Sequence, residues 1–208
     1  MLGFFITLYA GLEHAFETDH LLAVNNLVTN RNKITHAAKD GIFWGIGHTL
    51  TIFLVGILMI LLKYNISEQI FHYFEATVGL MLISLGIWRV LKLNYAKKQN
   101  LELITDNGKH SPHHKAALGV GMVHGLAGSG ALVVLVLTQM SSAAEGFSYI
   151  LIFGVGSILG MFLAAGLFSI PFSKNLMRSE KLQFALILIS SLLCVFYGSY
   201  VVYENLTA

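Results

Sequence analysis

The stretch Gly11-Leu-Glu-His14-Ala-Phe-Glu17-Thr-Asp19-His20 sets three carboxylates and two imidazoles inside an apolar run that extends from about residue 2 to 28. An acid at the centre of a membrane helix costs about 2.5 to 3.5 kcal/mol, while a Leu, Ile, Phe or Val returns only about 0.3 to 0.6. Roughly a dozen such apolar residues recover about 4 to 7 kcal/mol, against about 8 to 10 for Glu13, Glu17 and Asp19. A lone span of this composition inserts poorly. The segment makes sense where its ionisable groups face a protein interior or a water-filled path and bind something.

The rest of the chain sets that segment in a membrane. Of 208 residues, 55% are hydrophobic and only 12% charged, and the mean hydropathy is +0.69, far from soluble averages. Apolar runs at about 2–28, 41–62, 70–91, 116–140, 147–170 and 182–203 are each sufficient to cross a ~30 Å hydrocarbon core as a helix. The expected fold is therefore an all-α integral membrane protein with six transmembrane helices in a single domain, 1–208. Twelve of the 13 Lys and Arg follow spans one, three and five; Lys63 alone lies on the other side. Under the positive-inside rule those loops are cytoplasmic and both termini lie outside, in what is expected to be a bacterial plasma membrane. The net charge of +2 then reflects topology and calls for no nucleic-acid partner. The first apolar run lacks a basic n-region and carries acids in its centre, so it reads as a retained span rather than a signal peptide. The single cysteine, Cys194, permits no internal disulfide or dithiol pair and reads as a small buried hydrophobe.

Sliding the chain on itself by 110 positions matches Gly11 with Gly121, His14 with His124, Leu22 with Leu132 and Val24 with Val134. A slide of 109 lays Gly45-Ile-Gly47-His48 over Gly154-Val-Gly156-Ser157, and one of 106 lays Leu82-Ile-Ser84 over Leu188-Ile-Ser190. Repeats of three spans, about 1–92 and 116–208, must enter the membrane from opposite sides, because three is odd. That is an inverted repeat, a plan on which many transporters place a site between the halves. The halves differ chemically: Asp19-His20 is answered by Ser129-Gly130, and His48 by Ser157.

On a straight helix Glu13, Glu17 and His20 share a stripe, whereas His14 points about 120° away from His20. His14, Asp19 and His20 converge on one ion only if the helix is distorted between Gly11 and His20. Irregular backbone is tolerated at membrane depth where it lines a cavity. Imidazole with carboxylate suits borderline first-row divalent ions, and the lack of a usable thiolate set argues against copper(I). The candidate ligands are His14, Asp19, His20 and His48; Glu17, His124, Asn25 and Asn26 are candidates for further contacts or for orienting an imidazole. The stretch from about 92 to 115, with His110, His113 and His114, reads as a solvated polar linker rather than a metal-collecting tract.

His14-Ala-Phe-Glu17-Thr-Asp19-His20 resembles the His, four residues, Asp-His pattern of the first core helix in the nickel/cobalt transporter superfamily. The run Leu21-Leu-Ala-Val-Asn25-Asn26-Leu-Val-Thr29 is similar to that family's continuation, Gly47-His48-Thr49 to its second-helix signature, and His124-Gly-Leu-Ala-Gly-Ser-Gly130 to its NicO and UreH-like (urease accessory protein-like) branch. The chain departs at Glu17, where Asp is common, and in having fewer spans than the better-studied permeases. The resemblance implies secondary transport of Ni²⁺ or Co²⁺ as cargo, without a permanent cofactor, with His14, Asp19, His20 and His48 as metal residues. It leaves open as partners a second copy of the chain or metalloenzyme maturation factors.

A membrane enzyme is disfavoured, because the sequence holds no HExxH, no nucleophile elbow and no cysteine pair. A metal-binding partner for metalloenzyme maturation that moves no ion is the alternative from another class. Export of another small solute remains a further transporter reading. For an anion, the acids of the first span oppose it, and the spans offer no evident Lys or Arg.

Overall fold

The computed structural model describes residues 2–29, 31, 33–62, 67–99, 113–139, 142–172 and 179–207, without the side chains of 2, 62, 113 and 129–139. His110 therefore lies outside the described residues, and of His113 and the expected Ser129-Gly130 counterpart of Asp19-His20 only the backbone is described. Seven α-helices are described: α1 (Leu2–His14), α2 (Thr18–Val28), α3 (Ile34–Leu62), α4 (Glu68–Lys98), α5 (His113–Gln139), α6 (Ala143–Ser169) and α7 (Glu180–Thr207). A single 3₁₀ turn, Ile170–Phe172, extends α6. There is no strand among the described residues.

Among the described residues, four segments are long and apolar enough to cross a membrane: Ile34–Leu61, Glu68–Lys98, Ala143–Phe172 and Glu180–Thr207. Their outward faces are apolar. On α3, Ile46, Leu50, Leu54 and Leu58 form an exposed stripe at helical spacing, and on α6 Val155, Leu159, Leu163 and Leu167 form another. Such faces suit lipid, and the chain is an integral membrane protein. The fifth helix has 27 residues, and at 1.5 Å per residue that is about 40 Å.

The first expected span is two short helices rather than one. It breaks after His14: Phe16 N–H bonds Glu13 C=O at 2.8 Å and Glu17 N–H bonds His14 C=O at 3.1 Å, which closes α1 with tight turns. Glu17 then adopts extended backbone (φ −65°, ψ 156°) and starts α2. At 13 and 11 residues, neither helix alone reaches across a ~30 Å core. The distortion expected between Gly11 and His20 is this break.

α3 is sandwiched between α5 and α6, α1 lies on α6, and α4 pairs with α7. Glycines set the closeness of these crossings, since a Cβ on Gly11 would meet the Phe153 carbonyl of α6 and one on Gly121 the Trp44 carbonyl of α3. The core between the helices holds Ala15, Val24, Trp44, Leu82, Met161, Ile187 and Cys194, the last buried as the sequence suggests.

Two arginines taken from the sequence as loop charges are instead buried. Arg89 lies on α4, 1% exposed, and its Nη2 donates to the Thr29 carbonyl at the end of α2 at 3.0 Å. Arg31 grips Asp40 of α3 with two bonds of 2.5 and 2.8 Å, and His114 at the start of α5 lies 2.6 Å from the same carboxylate. The expectation that no Arg is buried among the spans is thus wrong for Arg89. A carbonyl at a helix C-terminus, the negative end of the helix dipole, favours a cation there.

Candidate metal centre

The break after His14 turns α2 so that His20 comes back beside His14. Their ring centroids lie 4.5 Å apart, and His48 on α3 stands 5.1 Å from His14 and 5.3 Å from His20. One ligand atom from each of these three rings lies within 4.8 Å of the others. Asp19, His20 and His124 form a second such group, so His20 belongs to both. Asp19 Oδ2 lies 3.8 Å from His124 Nε2.

The hydrogen bonds around the rings fix which nitrogen is offered. His14 Nδ1 lies 2.9 Å from Glu17 Oε1, His20 Nδ1 lies 3.0 Å from Asp19 Oδ1, and His124 Nδ1 lies 3.2 Å from the Val120 carbonyl. A carbonyl or ionised carboxylate only accepts, so Nδ1 carries a hydrogen, and in the neutral ring Nε2 keeps its lone pair. Those three Nε2 atoms, and both ring nitrogens of His48, are buried with no hydrogen-bond partner among the described residues. A buried polar atom without a partner is costly unless something binds it. A ring oriented through Nδ1 by a carboxylate or carbonyl is the arrangement that supports metal ligation at Nε2.

Space is left where the nitrogens converge. Gly128 of α5 lies over His14 and His48, and a Cβ there would stand 3.2 Å from His14 Nε2 and 3.6 Å from His48 Cε1. Trp44, fully buried one turn before His48, walls the other side with ring centroids 5.5 Å from His20 and 5.6 Å from His124. Neither residue stands out in the sequence: Gly128 is one of 20 glycines, and a tryptophan in an apolar helix reads as packing.

The other candidates are placed as follows. Glu17 orients His14. Asn26 donates to the Leu22 carbonyl and accepts from Ser191 Oγ of α7, which makes it a tie between helices rather than part of the cluster. Asn25 keeps a buried, unpartnered Oδ1, but it joins neither ligand group. Glu13 is exposed. A cavity of about 270 Å³ opens beside the cluster, lined by His14, Glu17, Asp19 and His20 on one side and by residues of α4 and α7 on the other.

The family model described as cytochrome C biogenesis protein transmembrane region matches residues 20–200. The urease accessory protein UreH of Bacillus sp. (strain TB-90) is 36% identical over 201 residues, covering 93% of this chain and 87% of that protein. A candidate nickel/cobalt efflux system of Methanocaldococcus jannaschii is 28% identical over 161 residues, covering 73% of this chain and 68% of the other. The chloroplast protein FOR GROWTH AND FERTILITY 1 of Arabidopsis thaliana is 27% identical over 166 residues, which are 73% of this chain and 45% of that one. No solved structure matches. By the match across most of its helices and the 36% identity over nearly all of its length, the chain belongs to the family of the cytochrome C biogenesis protein transmembrane region and to the UreH-like branch expected from the run His124–Gly130.

Proposed function

We propose that this protein is a carrier of a divalent transition-metal ion, Ni²⁺ or Co²⁺, with its ion seat on His14, His20 and His48 and with Asp19 and His124 completing the surroundings. The observation that carries the reading is that His14, His20 and His48 each bring a ligand atom within 4.8 Å of the others beside a broken helix, and that their Nε2 atoms are buried without a hydrogen-bond partner among the described residues. Imidazole-rich sets suit late first-row divalent ions, and Asp19 with Glu17 would balance the two positive charges of the cargo. Names of relatives support the choice of ion: one is a candidate nickel/cobalt efflux system, and another serves as an accessory to urease.

In this reading the chain spans the membrane six times as two inverted three-helix halves, about 1–92 and 116–208, with the broken α1–α2 pair counted as one crossing. The Gly11–Phe153 and Gly121–Trp44 contacts support it, because they are the same contact carried through the internal offset. The distribution of Lys and Arg supports cytoplasmic loops after crossings one, three and five, with both termini on the far side of a bacterial plasma membrane. Alternating access then exposes the ion seat to each side in turn.

Flux of Ni²⁺ and Co²⁺ into liposomes bearing the purified protein tests the carrier. Loss of flux in His14→Ala and in Asp19→Ala, with each variant still present in the membrane, is the expected result; unchanged flux in both refutes it. The identity with a urease accessory protein favours one second reading, a membrane partner that binds nickel for metalloenzyme maturation without moving it. Measurable Ni²⁺ binding with no flux would select that reading.

A further inference from the structure

Glu75 of α4 and Glu204 of α7 belong to neither ligand group, yet both line the cavity that ends on His14 and His20. They are exposed at its mouth, while His20 at its floor is 2% exposed with an unpartnered Nε2. Exposed Glu17 and partly buried Asp19 line it as well, so the lining carries four carboxylates and, among the described residues, no Lys or Arg. A bond of 2.8 Å between His72 Nδ1 and Asn205 Oδ1 ties the two mouth helices together.

We propose that this cavity is a transit site for a hydrated divalent cation, held by Glu75 and Glu204 through its water shell before His14 and His20 replace that water; the proposal rests on the reading of the histidine cluster as the ion's buried seat. Size allows it. On the measure of space open to a water's centre, six waters at about 10 to 15 Å³ each need about 60 to 90 Å³, and the cavity offers about 270 Å³. Electrostatics favour it, because a cleft lined by one sign of charge between low-dielectric walls concentrates the opposite ion and raises its arrival rate. The order of ligands is also chemically sensible: carboxylate oxygens suit an ion that keeps its water, and imidazole nitrogens suit one that has lost it. The gradient runs from exposed oxygen at the mouth to buried nitrogen at the floor.

Stopped-flow binding of Ni²⁺ to the purified full-length protein tests the transit site without requiring transport. The Glu75→Gln/Glu204→Gln double variant should lower the association rate constant about tenfold at low ionic strength, within the range expected of electrostatic focusing. The deficit should close towards about 1 M salt, where screening acts within about 3 Å. The dissociation rate should stay at the wild-type value, and Glu75→Asp/Glu204→Asp, which keeps both charges, should associate at nearly the wild-type rate. An unchanged association rate in the Gln pair overturns the transit site. So does a rise confined to the dissociation rate, which would make these carboxylates ligands of the buried seat. The underlying reading fails differently: if His14→Ala and His20→Ala still bind Ni²⁺ as the wild type does, the seat itself is wrong, whatever the glutamates do.

Discussion

A carboxylate against one nitrogen of an imidazole decides what the other nitrogen offers, and at His14 that carboxylate is Glu17, 2.9 Å from Nδ1. Replacing Glu17 with Gln keeps the size and removes the charge, so the ring loses both its fixed tautomer and part of its basicity. Outer partners of this kind are worth about 10- to 100-fold in metal affinity. Glu17→Gln should weaken equilibrium Ni²⁺ binding by at least about tenfold, measured by competition with a metal indicator, while the protein purifies as before; unaltered affinity would mean that Glu17 plays no orienting part. Residue types and spacing marked His14, Asp19 and His20 as candidates in the sequence, because five ionisable groups in eight apolar-flanked positions have no packing explanation, and His48 was added from another helix by its Gly47-His48-Thr49 context. They were not enough to pair them. That Asp19 turns to His124 while His48 joins His14 depends on where α3 and α5 cross, which no local pattern encodes.

At the scale of the elements, the break in the first span follows from the residues themselves, since His14 and His20 cannot face one point on a straight helix. The Arg31–Asp40–His114 knot is less legible. In sequence Arg31 is one more basic loop residue and Asp40 an acid near a helix start, and only the fold brings both to about 5% exposure with His114 from a distant helix. A buried ion pair is weak evidence of stability while intact, but breaking it leaves a charge without its counterpart and costs about 3 to 5 kcal/mol. Asp40→Asn should therefore lower the thermal stability of the purified protein markedly, whereas Arg31→Met/Asp40→Leu, which removes both charges together, should be milder. Equal losses in the single and double variants would mean that packing, not the pair, holds α3 to the end of α2.

At the scale of the whole molecule, the internal offset seen in the sequence reappears as matched contacts. Gly45 of α3 packs on Ile158 of α6, and Gly154 of α6 packs on Thr49 of α3; both members of each pair correspond at an offset of 109. Gly47 against the Leu118 carbonyl and Gly156 against the Leu8 carbonyl correspond in the same way, as do the exposed stripes of α3 and α6. If the halves are structurally equivalent, equivalent substitutions should cost similar amounts even though their sequence surroundings differ. A methyl group on Gly11 or on Gly121 would be forced onto a backbone carbonyl of the neighbouring helix, Phe153 in one case and Trp44 in the other. Overpacking of this kind costs about 1 to 3 kcal/mol. Gly119→Ala supplies the control, because on the same helix as Gly121 its added methyl would meet nothing within 4 Å. Thermal unfolding of the three purified variants should place Gly11→Ala and Gly121→Ala together, well below the wild type, and Gly119→Ala at or above it. A large loss at Gly121 with none at Gly11 would mean that the two crossings are not equivalent, and the inverted halves would then be a likeness of sequence alone.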